Sequence, residues 1–211
     1  MQLVYVADPM CSWCYGFARP MQALLAEPGE FAPIDISLVM GGLRPFTREA
    51  MTPERVDEIL THWHHVHEAS GQPFAKAPDT AMHRPGFVYD TEPASRATVT
   101  VRTDWPQQAW AYFESVQRAF YAEARDVTQT AVLTMLAERL GVPGEAFRAA
   151  FESDRLRQAT LQDFAQSQRW GIRGFPALIA QHRGQLHQVC NGYAPIETVR
   201  QRLGALMAPT A

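Results

Sequence analysis

The chain is expected to adopt an α/β fold, a small mixed sheet interrupted by a large helical insertion. Three observations predict this. The first 40 or so residues spell strand, helix, strand, and the last 60 or so spell helix, strand, strand, helix. Between them, roughly residues 44–153 carry helical periods. The domain reading is therefore a discontinuous α/β unit of residues 1–43 and 154–211, with residues 44–153 as the inserted helical unit.

The elements follow in order. Residues 2–6 alternate weakly and lead into an Asp8-Pro9 turn. Residues 12–26 form a helix with Met21, Leu24 and Leu25 as its apolar stripe, stopped by Pro28-Gly29. Pro20 inside it should introduce a kink. Ile34 to Met40 alternates with period two, and Gly41-Gly42 ends that strand in a turn. Thr52-Pro53-Glu54 is an N-cap with proline at the first helical position, and the helix runs to Ser70-Gly71. A loop rich in proline and glycine covers residues 72–90.

Thr91-Glu92-Pro93 opens a helix through Arg102, although the β-branched run Thr98 to Val101 inside it favours a strand. Asp104-Trp105-Pro106 starts a helix with Trp110, Phe113, Val116, Phe120 and Tyr121 on its apolar side. Thr128 is expected to cap the next, with Val132, Met135, Leu136 and Leu140 inward and Gly141 closing it. A short helix covers residues 144–151. A long one runs from Ser153 to Trp170, with Gly171 at its end. Residues 177–181 and 185–190 form a hairpin around Arg183-Gly184, and a helix from Pro195 to Met207 closes the chain. The tail after Pro209 is expected to be disordered.

Composition narrows the function. A chain of 211 residues with 46% hydrophobic and 19% charged residues can bury a proper core. A net charge of −3 gives no reason to expect nucleic acid or an anionic membrane as partner. No apolar run approaches the ~20 residues that span a bilayer. The first strand begins almost at once, leaving no room for a secretory leader, so a cytoplasmic location is expected. In a reducing compartment three cysteines argue against a structural disulfide framework. No feature of the sequence sets an oligomeric state.

The chemistry is concentrated in Cys11-Ser12-Trp13-Cys14, where the first strand hands over to the first helix. A helix N-terminus presents unsatisfied N–H groups and partial positive charge, which favour a thiolate. A second cysteine one turn on can resolve the mixed disulfide made by the first. Ser12-Trp13 adds no histidine or other cation, so a Cys11 thiolate of intermediate stability is expected. Far downstream, Phe175-Pro176 stands between the long helix and the apolar Ala177-Leu178-Ile179, and only an X-Pro bond such as this is cis at modest cost.

These residues carry a resemblance. Tyr5 to Gly16 (YVADPMCSWCYG), with Gly174-Phe175-Pro176 downstream, is similar to the DsbA-like thioredoxin-fold family. The Cys-x-Trp-Cys-Tyr-Gly signature and the Tyr89 to Ala97 segment resemble its cytoplasmic FrnE-type branch. The resemblance spans nearly the whole chain. It implies a thioredoxin fold with a helical insertion and thiol–disulfide oxidoreductase or isomerase activity. It further implies Cys11 as attacking thiolate, Cys14 as resolving thiol and Pro176 as the cis proline. Partners would be protein or small-molecule thiols and disulfides. No bound cofactor is expected beyond the Cys11–Cys14 redox pair, with glutathione as a conceivable co-substrate.

Other residues admit two readings each. Asp8 is a proton relay for Cys14 or the acceptor of an Asx turn with Pro9. Met10, Trp13, Tyr15 and Phe175 are candidate substrate contacts; for Phe17 a packing role is as natural. Cys190 is read as buried and inert. His62, His64, His65 and His67 share one helix, but no metal site is assigned, and two cysteines fall short of structural zinc. Competing functions are a glutathione-dependent transferase or isomerase of the kappa and hydroxychromene-carboxylate type, a non-enzymatic protease adaptor, and a zinc-bound Cys-x-x-Cys.

Overall fold

A computed structural model describes residues 1–208; the tail after Pro209 lies outside the described residues. The sheet has four strands, β1 (Gln2–Ala7), β2 (Asp35–Met40), β3 (Ala177–His182) and β4 (Gln185–Asn191), in the order β2-β1-β3-β4. β1 runs parallel to β2 and antiparallel to β3, and β3 pairs antiparallel with β4 through a bulge at Leu178/Ile179. The parallel pair requires a crossover, which α1 (Ser12–Ala26) supplies, running unbroken through Pro20. The central strands are apolar on both sides: Leu3, Tyr5, Val6, Ala7, Leu178, Ile179 and Ala180 are all buried.

The intervening chain forms α2 (Pro53–Ser70), α3 (Glu92–Asp104), α4 (Ala109–Tyr121), α5 (Thr130–Glu138) and α6 (Gly144–Glu152). Thr52 caps α2 by accepting from the Arg55 N–H, as the sequence predicts. The Thr98–Val101 run is helical after all. Every residue of it is buried, and tertiary packing outweighs β-propensity there. Three expectations need correction. α4 begins at Ala109, because residues 106–108 form a separate 3-10 turn. Thr128 does not cap α5; its hydroxyl donates to Asp126, and the cap position is Gln129. The buried residues of α5 are Leu133, Thr134, Leu136 and Ala137, while Val132, Met135 and, just beyond the helix, Leu140 are only partly buried. An isolated antiparallel bridge, Ala50 to Val88, also sits among these helices.

α7 (Asp154–Arg169), capped by Ser153, returns the chain to the sheet, and α8 (Ile196–Met207) closes it. The apolar interior crosses the boundary between sheet and insertion. Val99 and Phe113 pack with Tyr5, Phe17 and Met40, while Met10 and Tyr15 pack with Trp63, Phe120 and Tyr121. Asp163 of α7 holds the β2 edge: its carboxylate accepts from the Met40 N–H at 2.8 Å and pairs with Arg102. No helix among the described residues is long and apolar enough to cross a membrane.

Candidate active site

The site forms where β1 ends. Cys11 is the N-cap residue of α1, with extended backbone, and its N–H donates to the Asp8 carbonyl at 3.1 Å. Its thiol donates to the carbonyl oxygen of Phe175 at 3.6 Å. The Phe175-Pro176 peptide is cis, as expected; a second cis bond, Ala32-Pro33, lies away from the cysteines in sequence and was not anticipated. The Pro176 carbonyl accepts from the Gly192 N–H at 2.7 Å, so the residue just past β4 holds the proline loop in place.

The two sulfurs have unequal environments. Cys11 keeps 6% of its surface, while Cys14 is wholly buried. Burial, reinforced by the neighbouring Cys11 sulfur, pushes the Cys14 thiol well above its ordinary pKa. All three cysteines are free thiols. Cys190 is buried opposite Leu178, and its sulfur accepts from the Arg202 guanidinium at 3.7 Å.

Asp8 is completely buried behind the motif. One carboxylate oxygen accepts from the Met10 N–H at 2.8 Å, which is the Asx turn, and the other accepts from the Leu43 N–H at 2.7 Å. Burial nonetheless outweighs these bonds and lifts its pKa to about 6. The Asp8 charge in turn helps hold the proton on the Cys14 thiol.

A groove of about 290 Å³ opens over Cys11. Met10, Trp13 and Phe175 line it, as the sequence suggested, together with Leu43, Arg44 and His62. Trp13 is half-buried, its ring 5.8 Å from that of Tyr193. Tyr15 is not part of this lining. It stacks on Tyr121 at 4.9 Å and donates to the Pro73 carbonyl, joining α1 to the insertion. Phe17 is fully buried against Tyr5. The histidines of α2 stay exposed, and only His62 reaches the groove. Among the described residues no group of three or more His, Cys, Asp or Glu side chains gathers in a metal-binding arrangement.

Sequence reasoning missed the support given to the groove by residues 41–46 and 89–92. The Tyr89 hydroxyl donates to the Met10 carbonyl at 2.7 Å, and the Arg44 guanidinium lies 5.2 Å over the Tyr89 ring. Asp90 accepts from the Phe46 N–H, and the Thr91 hydroxyl accepts from the Arg44 N–H at 3.1 Å. Gly41, assigned only to a turn, lies directly under the Phe175 ring, where a Cβ would overlap it. The one available signal was the Tyr89 to Ala97 segment, which carried a resemblance but no evident chemistry.

Known proteins agree with this geometry. The profile of the DSBA-like thioredoxin domain matches residues 2–204. No curated protein sequence matches the chain. Among solved structures, a candidate protein disulfide isomerase from Nitrosomonas europaea is 40% identical, with a TM-score of 0.88 over 98% of this chain and 97% of its own. The cytosolic disulfide reductase DsbM from Pseudomonas aeruginosa, at 26% identity, covers 98% of both chains with a TM-score of 0.78, and it has also been solved with GSH. A 2-hydroxychromene-2-carboxylate isomerase, at 14% identity and a TM-score of 0.68 over 98% of this chain and 96% of its own, shares the fold alone. With nearly its whole length matched and the Cys11 and Cys14 thiols set beside a cis proline, the chain belongs to the DSBA-like thioredoxin domain family.

Proposed function

We propose that this protein is a thiol–disulfide oxidoreductase, able to act as an isomerase, that exchanges disulfides with protein or small-molecule thiols. The observation that carries the reading is the Cys11 thiol at the start of α1, 3.6 Å from the carbonyl that precedes Pro176. In the reducing direction the Cys11 thiolate attacks one sulfur of R–S–S–R. The S–S bond breaks, a mixed disulfide forms, and the departing RS⁻ takes up a proton. Cys14 then gives up its proton, Asp8 being the proposed acceptor, and attacks the Cys11 sulfur. The second RS⁻ leaves as a thiol. Two electrons pass from the protein dithiol to the substrate, and an external thiol restores the pair by the reverse steps.

The redox equivalents reside in the two sulfurs, so the reaction as proposed uses no further bound group. Buried Cys14 stays protonated until the mixed disulfide forms, which leaves Cys11 as the nucleophile exposed to substrate. DsbM is described as a cytosolic disulfide reductase and was solved with GSH; that supports a reducing role, a cytoplasmic setting and glutathione among the thiols. Two sulfurs, rather than one, favour this over a glutathione-dependent isomerase.

The test is reduction of insulin by dithiothreitol, with wild type compared to Cys11→Ser and Cys14→Ser. Loss of activity in the first and trapped mixed disulfides in the second are expected. Equal activity in all three proteins overturns the proposal.

A further inference from the structure

The active-site dipeptide carries no cation, yet the fold places an arginine in the lining of the groove over Cys11. Arg44, on the connection after β2, and His62, on α2, both line the groove over Cys11. No carboxylate lines it; Met10, Trp13, Leu43 and Ile59 make its walls largely apolar. Arg44 is exposed and forms no ion pair among the described residues, its guanidinium resting over the Tyr89 ring. Its backbone is fixed on both sides, the N–H donating to the Thr91 hydroxyl and the carbonyl accepting from the Thr91 N–H at 3.3 Å. The charge is therefore presented from a braced segment.

The protein as a whole is anionic, at −3, so it does not gather anions by its net field. An unpaired arginine in a small apolar groove acts only at close range, within about a Debye length of 10 Å. At about 290 Å³ the groove also suits a small molecule better than a folded segment. We infer that the groove selects small thiols and disulfides that carry carboxylates, with Arg44 as the specificity-determining charge and His62 as a second donor. This inference rests on the redox reading above and adds the class of substrate to it.

The experiment mixes reduced protein with three disulfides of similar size in a stopped-flow instrument and follows tryptophan fluorescence. The probes are dithiodipropionate, a dianion; bis(2-hydroxyethyl) disulfide, which is neutral; and cystamine, a dication. The readout is the ratio of the dithiodipropionate rate to the cystamine rate, compared between wild type and variants so that intrinsic reactivity cancels. Arg44→Met, which keeps an aliphatic stem over Tyr89, is expected to lower the ratio about tenfold, the lower end of electrostatic steering. Arg44→Glu should lower it further and His62→Gln about twofold. About 0.5 M salt should shrink the wild-type ratio toward that of Arg44→Met.

An unchanged ratio in Arg44→Glu overturns the inference. So does a common fall in all three rates at constant ratio, because that marks Arg44 as acting on the Cys11 thiolate and not on substrate charge. Failure of every probe to oxidise the wild-type protein removes the redox reading itself, and the inference with it.

Discussion

The Cys11 thiol donates to the Phe175 carbonyl across 164 residues of sequence, so the site exists only when both ends of the chain have come together. The Phe175 ring is set by Gly41, whose missing side chain leaves the space the ring occupies. Gly41→Ala is expected to displace the ring and the carbonyl facing Cys11. Insulin reduction should fall about tenfold or more, because small displacements at a reacting centre are costly. Thermal melting should show a cost of about 1–3 kcal/mol from overpacking. Wild-type activity in Gly41→Ala would mean that the position of Phe175 does not matter.

Asp8 gives a pH signature of unusual sign. Its folded pKa of about 6 lies above the ordinary carboxylate value of 3.8, so the native state binds the proton more tightly than the unfolded chain. Stability from this group is full below about pH 4 and is lost as the pH rises through 6. The difference amounts to about 3 kcal/mol at 1.36 kcal/mol per pKa unit. Asp8→Asn should flatten this part of the profile in urea titrations at pH 4, 5, 6 and 7. It should also lengthen the lifetime of the mixed disulfide on Cys11, measured by quenched-flow trapping, since the proposed proton acceptor for Cys14 is gone. A profile of the same slope in the variant would refute the buried-charge account.

Much of this was legible before any coordinates. Strand alternation, the Thr52-Pro53 cap and the hairpin at Arg183-Gly184 are local signals, and local signals survive folding. The expected helix through Thr98 to Val101 holds despite its β-branched residues because α3 is buried, and the one misplaced cap is a local competition, the Thr128 hydroxyl donating to Asp126 two residues back. The site divides the same way. Cys11, Cys14 and Pro176 announce themselves by type and spacing. Arg44, Gly41 and Tyr89 do not, because an arginine, a glycine and a tyrosine in loops acquire meaning only from the neighbours that the fold gives them.

Arg102 and Asp163 join the insertion to the edge of the sheet. Both guanidinium nitrogens reach the carboxylate, at 2.6 and 3.1 Å, and Arg102 also donates to the Leu38 carbonyl. Asp163 in turn accepts from the Met40 N–H. Asp163→Ala strands a largely buried arginine and a backbone donor together, and should cost about 2–4 kcal/mol in a denaturant melt. Because Met40 immediately precedes Gly41, the variant should also lose activity at temperatures below its melting transition. Replacing both residues with leucine should recover part of the stability, since removing a buried pair is milder than breaking one.

Gly16 packs the helix that carries the cysteines tightly against α2. A Cβ there would stand 2.8 Å from Val66 Cγ1 of α2 and 3.4 Å from Ser70. α2 also carries His62 and Ile59 to the groove over Cys11, so the α1–α2 spacing bears on the width of that groove as well as on the packing. Gly16→Ala calls for a small adjustment of the Val66 side chain. Gly16→Leu cannot be accommodated without moving α2 outward. The leucine variant should lose about 1–3 kcal/mol and bind substrate more weakly, raising KM more than it lowers kcat, because the displaced helix α2 carries groove residues and neither sulfur. Gly16→Ala, which needs only the Val66 side chain to shift, should keep KM near the wild-type value, which separates the spacing of the helices from any effect on the thiols. An equal fall in kcat and kcat/KM for Gly16→Leu would instead place the damage at the sulfurs and remove the insertion from the substrate site.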